Sequence, residues 1–181
     1  MRTVAAAQQA PQQSAQLSHI DPSDFRHVMS HLPTGVVAVA GAEAATGAPA
    51  GMIVGTFQSL SLDPPLVAFS VARTSGSWPR IRTGAGFSAS VLAEGQDHVC
   101  RALSRKSGDK FAGVEWHGSP EGAPRIAGAV AWIDCGWEHE LDGGDHVIVI
   151  ARVRRMAAGP GEPLVFHKGR LGGYRAPAAA A

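Results

Sequence analysis

The chain has 181 residues, of which 45% are hydrophobic and 17% charged, so it is long enough for one domain with a substantial buried core. With a formal net charge of +1, it lacks the strong positive charge that is typical of nucleic-acid-binding proteins. It also lacks the strong negative charge that is typical of acidic, disordered chains. No segment has the apolar length of a membrane span, and the N-terminus lacks the apolar core of a signal peptide. We therefore expect a soluble, cytoplasmic protein that binds neither nucleic acid nor membrane.

Both ends of the chain are predicted to be disordered tails. Residues 1–18 are rich in alanine and glutamine and residues 176–181 are mostly alanine, so neither segment can offset its ordering entropy. The folded domain is accordingly predicted over residues 19–175. Two isolated cysteines, Cys100 and Cys135, match no disulfide or metal motif and are expected to be reduced, buried thiols.

The first ordered element is predicted to be a helix. Asp21 can cap it, and Pro22 suits the first helical position, where proline costs no hydrogen bond. Pro33 ends the pattern. Apolar residues recur at the spacing of one helical face, at Phe25, Val28, Met29 and Leu32. We expect this stripe to be buried against the domain.

From residue 35 onward, short β-branched or alternating runs indicate strands. The predicted strands are residues 35–40, 52–62, 66–71, 87–92, 129–141, 146–156 and 164–167. Residues 41–49, rich in Gly, Ala, Pro and Thr, are predicted to join the first two as a hairpin. Short helices are expected around residues 78–82 and 96–104. This pattern favours a mainly β fold, an antiparallel barrel or sandwich with peripheral helices.

Two motif matches are rejected on their context. Residues 84–89 fit the GxGxxA pattern of dinucleotide-binding folds, but that motif needs a strand before it and a helix after it, and the order here is reversed. Acidic residues and histidines cluster at residues 138–146, yet strand alternation points neighbours to opposite faces and no known ligand spacing is matched. We expect solvated charges at the rim of a hairpin and predict no metal site.

Four segments, in this order and at these distances, resemble the short-chain flavin reductases, the reductase components of two-component flavin-dependent monooxygenases. The segments are PTGVV (33–37), GMIVGTFQSLSLDPPLV (51–67), SGSW (75–78) with Ile81 and Gly86-Phe87, and GGDH (143–146) with PLVFHKG (163–169). The resemblance implies the FMN-binding split β-barrel fold and a tight homodimer. It also implies FMN or FAD as the flavin, NADH or NADPH as the hydride donor, and a separate monooxygenase that receives the reduced flavin.

Small side chains, backbone amides and hydroxyl groups are what a flavin phosphate and a flat isoalloxazine ring require of their surroundings. The residues predicted to bind the flavin on this ground are Pro49, Ala50, Gly51, Met52, Ile53, Gly55, Thr56, Ser70, Val71, Ala72, Ser75, Gly76 and Ser77. The structural alternative is that Gly51 and Gly55 are bulge or barrel-corner glycines and that Ser75 and Ser77 are helix caps.

The resemblance implies that His146, the histidine of GGDH, lies beside the nicotinamide. It also implies that four residues near the C-terminus help to hold the dinucleotide: Phe166, His167, Lys168 and Gly169. Hydride transfer needs the donor carbon and flavin N5 about 3–3.5 Å apart, so the protein's task is positioning rather than acid–base chemistry. His146 is the one catalytic residue predicted, as the holder of the carboxamide. Its alternative is a surface histidine in a turn.

Two other functions stay open on the sequence. One is a different flavin-dependent oxidoreductase on the same fold, pyridoxamine-phosphate-oxidase-like or corrin-reducing, and the other is a non-catalytic flavin- or haem-binding dimer. Ile53 and Gly55 replace hydroxyl residues of the family pattern, so contacts there are expected to use the backbone. Leu171 takes an often aromatic position, which leaves the choice between NADH and NADPH open.

Overall fold

A computed structural model describes residues 20–175, and both predicted tails lie outside these residues. Helix α1 (Pro22–Met29) begins as predicted, because the Asp21 carboxylate accepts the Ser23 N–H at 2.7 Å. The prediction that its apolar stripe is buried is wrong. The four residues of the stripe are 47–66% exposed because no other element among residues 20–175 covers that face.

The chain is mainly β, as predicted. Beyond α1, the described part of the chain forms two short helices, α2 (Trp78–Ile81) and α3 (Asp97–Leu103). The strands are β1 (Thr34–Gly35), β2 (Val37–Ala42), β3 (Pro49–Val54), β4 (Gln58–Leu62), β5 (Pro65–Ala72), β6 (Phe87–Val91), β7 (Trp116–Gly118), β8 (Pro124–Ile126), β9 (Ala131–Gly143), β10 (His146–Ala158), β11 (Leu164–His167) and β12 (Arg170–Gly173).

Seven strands form one antiparallel sheet in the order β3-β2-β6-β9-β10-β5-β4. Met52 of β3, at one end of this order, and Phe69 of β5, next to the other end, belong to a single apolar core, so the sheet curls into a barrel-like layer. The Phe69 ring lies 5.5 Å from Trp78 and 5.6 Å from Phe87, centroid to centroid, in edge-on contacts. These three aromatic rings fix α2 against the sheet.

A second core covers the other face of β2, where Ala38 packs with Leu103, Phe111 and Leu164. Strand β2 is therefore buried on both faces, which explains its continuous apolar run. Strands β1, β11 and β12 form a small sheet beside this core, and β7 pairs with β8. No helix within residues 20–175 is long and apolar enough to cross a membrane.

The single strand predicted over residues 52–62 is two strands. Strand β3 pairs with β2 and β4 pairs with β5, so the chain leaves one end of the sheet and rejoins it at the other. Thr56 holds the link between them, because its hydroxyl accepts the Ser70 N–H at 2.8 Å. The predictions missed β1, β7, β8 and β12, which have only two to four residues each and carry little periodic signal.

The context that rejected the GxGxxA match is confirmed, since α2 precedes it and β6 follows it. A Cβ on Gly84 would lie 2.3 Å from the Ala42 carbonyl oxygen, so close packing accounts for this glycine. Cys135 is buried as predicted, and burial raises the pKa of its thiol to about 12. Cys100 is only half-buried, which corrects the prediction for that residue.

Candidate active site

One cavity, called here the slot, has a volume of about 680 Å³. Strands β5 and β10 form one wall, where Ser70 pairs with Ile148 and Ala72 pairs with His146. Paired residues of antiparallel strands point to the same face, so all four side chains lie on one surface. The rest of the lining comes from the end of β3, the β3–β4 link, Ser75, Gly143 and Phe25 of α1. The small side chains at positions 70 and 72 leave a flat wall.

A second cavity, called here the cleft, has a volume of about 1220 Å³ and is lined by β3, the start of α2 and the loop after α3. Met52, Ile53 and Ser75 line both cavities, so the slot and the cleft adjoin. Eight of the predicted flavin-binding residues line the cleft: Pro49, Ala50, Gly51, Met52, Ile53, Ser75, Gly76 and Ser77. The other five, Gly55, Thr56, Ser70, Val71 and Ala72, line the slot. The structure thus brings all thirteen together, and their contact with flavin stays a prediction.

Close packing and helix capping, the structural alternatives, also account for some of these thirteen residues. A Cβ on Gly55 would lie 2.9 Å from Thr34 Oγ1, and one on Gly51 would lie 3.0 Å from both Leu103 and Phe111, so close packing favours glycine at each site. The Ser75 hydroxyl accepts the Trp78 N–H at 3.2 Å, as a helix cap does. These residues shape the cavities and line them at the same time.

Sequence reasoning missed the loop at residues 104–111, which forms one side of the cleft. Its Lys110 Nζ donates to the Ser77 hydroxyl at 2.9 Å, the Leu103 carbonyl at 3.1 Å and the Gly51 carbonyl at 3.3 Å. These bonds tie β3, α2 and α3 together. Burial, with the nearby positive charge of Arg80, lowers the pKa of Lys110. The run SRKSGDK at residues 104–110 was the available signal, but sequence alone does not place a loop against a distant strand.

The cleft is positively charged. Its lining residues include four cations, Arg80, Arg105, Lys106 and Lys110, and one carboxylate, Asp109, which accepts the Phe111 N–H at 2.9 Å. Such a surface suits a phosphate group. A flat, small-residue slot that adjoins a cationic cleft suits a planar ring joined to a phosphate.

Glu140 anchors α2 to the sheet. Its carboxylate accepts the Trp78 indole N–H at 2.8 Å and an Arg82 N–H at 3.2 Å, and its side chain is only 22% exposed. The expectation that the charges at residues 138–146 are solvated is therefore wrong for Glu140, because these two donors hold it against Trp78. The expectation of solvated charges is confirmed for Asp142 and Asp145, whose side chains are 91% and 93% exposed.

His146 lies at the mouth of the slot, at the first position of β10. Its Nδ1 is 2.7 Å from the Asp145 carboxylate, and this hydrogen bond lowers the pKa of Asp145. With Nδ1 engaged, Nε2 is the ring nitrogen left for a ligand. Gly144, at φ +73°, makes the tight turn that presents the histidine.

The other residues predicted to hold the nicotinamide nucleotide lie elsewhere in the chain. Phe166 pairs with Thr34 on the small sheet, and Lys168, at φ +49°, forms the hairpin turn with Gly169. His167 and Lys168 line a separate depression of about 650 Å³, beside Arg170 and Leu171. The structure thus places His146 at the slot and the 166–169 hairpin outside it.

The chain matches the flavin reductase-like domain family over residues 29–175. It is 44% identical over 160 residues to a flavin reductase of Pseudomonas putida, which covers 88% of this chain and 94% of that protein. It is 40% identical over 155 residues to the flavin-dependent monooxygenase reductase subunit HsaB of Rhodococcus jostii. This second match covers 85% of this chain and 78% of that protein. The chain is also similar to the solved structure of the Streptomyces globisporus NADH:FAD oxidoreductase SgcE6 in complex with NAD and FAD fragments, with a TM-score of 0.80 and 36% sequence identity. That match covers 90% of this chain and 99% of the other.

Proposed function

This chain belongs to the flavin reductase-like domain family, and from that premise we propose that it is an NAD(P)H:flavin oxidoreductase. It reduces FMN or FAD by hydride transfer and supplies the reduced flavin to a separate monooxygenase. The observation that carries the proposal is the flat slot that adjoins a cationic cleft. The similarity to a flavin reductase and to a monooxygenase reductase subunit supports it over a corrin-reducing enzyme or a non-catalytic dimer.

The residues present fit a flavin. Ser70 and Ala72 leave a flat wall for the isoalloxazine ring, and Ser75, Ser77 and Lys110 surround the adjoining end of the cleft, where the ribityl phosphate would lie. A bound flavin supplies the hydride acceptor, and the nicotinamide supplies the donor. The Thr56 bond to Ser70 holds the slot open, and the Lys110 bonds hold the cleft in shape. The protein therefore acts by positioning two planar rings.

His146 is proposed as the residue that orients the nicotinamide at the slot mouth. The Asp145 carboxylate holds Nδ1, so Nε2 is directed to a ligand rather than to Asp145. The hairpin at residues 166–169 is proposed to hold the rest of the dinucleotide, since His167, Lys168 and Arg170 supply donors for its phosphates. His146 would touch the donor ring without taking part in proton transfer.

We further propose that the protein works as a homodimer in the cytoplasm, where nicotinamide nucleotides supply the hydride. Support for the dimer comes from α1, whose apolar face is uncovered within residues 20–175, with Val28 66% and Leu32 60% exposed. Phe25 on the same face also lines the slot. A second copy seated on α1 would bury this face and close the slot mouth.

The proposed activity is tested by mixing the purified protein with NADH or NADPH and either FMN or FAD, and following the absorbance of the reduced nicotinamide. We expect flavin-dependent oxidation of at least one nucleotide, well above the rate without protein. Oxidation at the background rate for all four combinations would contradict the proposal. Stoichiometric formation of reduced flavin under anaerobic conditions would show that the electrons reach the flavin.

A further inference from the structure

The outer part of the cleft is larger and more cationic than a single flavin phosphate requires. We propose that it holds the adenylate half of FAD, so that this chain prefers FAD to FMN. This inference rests on the proposed flavin reductase function. The outer part, as the term is used here, is the cleft lining at Arg105, Lys106 and Trp116, which make none of the Lys110 contacts.

The first argument is size. The slot alone, at about 680 Å³, lies within the range of about 300–1,000 Å³ that is usual for small-molecule pockets. The cleft adds a further volume of about 1220 Å³. With its ring in the slot, FMN would place its phosphate near Ser75, Ser77 and Lys110 and extend no further. FAD continues from that phosphate into a second phosphate, a ribose and adenine, which the remaining volume accommodates.

The second argument is charge. Arg80 is 3.5 Å from Glu43, and Lys110 is engaged by protein oxygens. Arg105 and Lys106 are exposed, and neither is paired with a carboxylate within residues 20–175. Two adjacent cations without carboxylate partners match the second phosphate of FAD, which FMN lacks.

The third argument is an aromatic surface. Trp116, at the start of β7, is 37% exposed and lines the cleft. The Phe111 ring meets it edge-on, at 6.1 Å and 73°, and so fixes the orientation of the indole. An indole held in this way on a cleft wall offers a stacking surface for adenine, as aromatic side chains do for bases in single-stranded nucleic acids.

The test is the ratio of kcat/KM for FAD to kcat/KM for FMN, at saturating NADH or NADPH, in the wild type and two variants. We expect the wild type to prefer FAD. The double variant Arg105→Ala/Lys106→Ala and the single variant Trp116→Leu should each lower the FAD value about tenfold and the FMN value less than about twofold. Arg101→Ala removes an exposed cation from nearby α3, outside the cleft lining, and should leave the ratio unchanged.

A second measurement uses only the wild type. In calorimetric titrations without nicotinamide nucleotide, AMP should raise the apparent Kd of FAD and leave that of FMN unchanged. Equal use of both flavins, or variants that lower both values alike, would overturn the inference while leaving the flavin reductase function intact. If neither flavin is reduced with either nucleotide, the proposed function fails as well.

Discussion

The two sides of the candidate active site are built differently. The proposed flavin side is a wall of small residues and backbone on strands β3 and β5, backed by the aromatic core of Phe69, Trp78 and Phe87. The proposed nicotinamide side consists of turn residues: His146 follows a tight turn with its side chain 44% exposed, and Phe166 is 43% exposed beside the 167–169 turn. The first side is built from paired strands packed on a buried core, whereas the second consists of partly exposed turn residues. A change that fills the proposed flavin side should therefore have the largest effect.

The largest effect is expected from filling the slot. Ala72 lies on the slot wall beside its pairing partner His146, so Ala72→Trp places an indole where the isoalloxazine ring would lie. We expect kcat/KM for either flavin to fall at least about 100-fold, with little change in the melting temperature, because the side chain points away from the core. Ala72→Ser keeps the slot open and should retain activity. Full activity in Ala72→Trp would show that the ring lies elsewhere.

Removing the imidazole on the nicotinamide side should cost less. His146→Ala deletes one proposed hydrogen bond to the carboxamide, so kcat/KM for the nucleotide should fall about tenfold while the flavin KM changes less than about twofold. His139→Ala, an exposed histidine on the same hairpin, is the matched control and should behave as wild type. An equal loss of kcat/KM for the nucleotide in both variants would mean that the structure of the hairpin, rather than the His146 imidazole, determines use of the nucleotide.

The next largest effect is expected from a charged substitution on the apolar face of α1. Val28→Glu should prevent a second copy from covering the helix, so sedimentation velocity should detect monomers, and the flavin KM should rise about fivefold because the slot mouth is open. Arg26→Ala changes an exposed residue of the same helix that is not part of the apolar stripe, and it should leave the dimer intact. A wild type that sediments as a monomer would refute the proposed dimer.

The smallest effect concerns pH. Burial first, and the charge of Arg80 second, lower the pKa of Lys110, so its ammonium group loses a proton at a lower pH than an ordinary lysine does. Loss of that proton removes one of the donors that hold Ser77, Leu103 and Gly51 together. The flavin KM should therefore rise about twofold as the pH increases through this pKa. In Lys110→Arg, which stays charged, the KM should not follow this profile.

Features with a local sequence pattern could be predicted, whereas features that depend on tertiary contacts could not. Strands such as β5 and β10 have strong period-2 or continuous apolar patterns, and the small residues between positions 49 and 77 lie in or near two of the four resembling segments, so both were predictable. Lys110 was missed because its role depends on tertiary contacts with Gly51 and Ser77, which are far from it in the chain. The spacing in α1 correctly indicated an apolar face, but periodicity cannot tell whether the same chain or a second copy covers it.

The position of the flavin ring is tested most directly by a crystal structure of the protein soaked with FMN or FAD. We expect the isoalloxazine density in the slot, against Ser70 and Ala72 and within reach of His146, with the first phosphate beside Ser77 and Lys110. A well-ordered flavin bound in the depression lined by His167 and Leu171, with the slot filled only by solvent, would contradict the assignment.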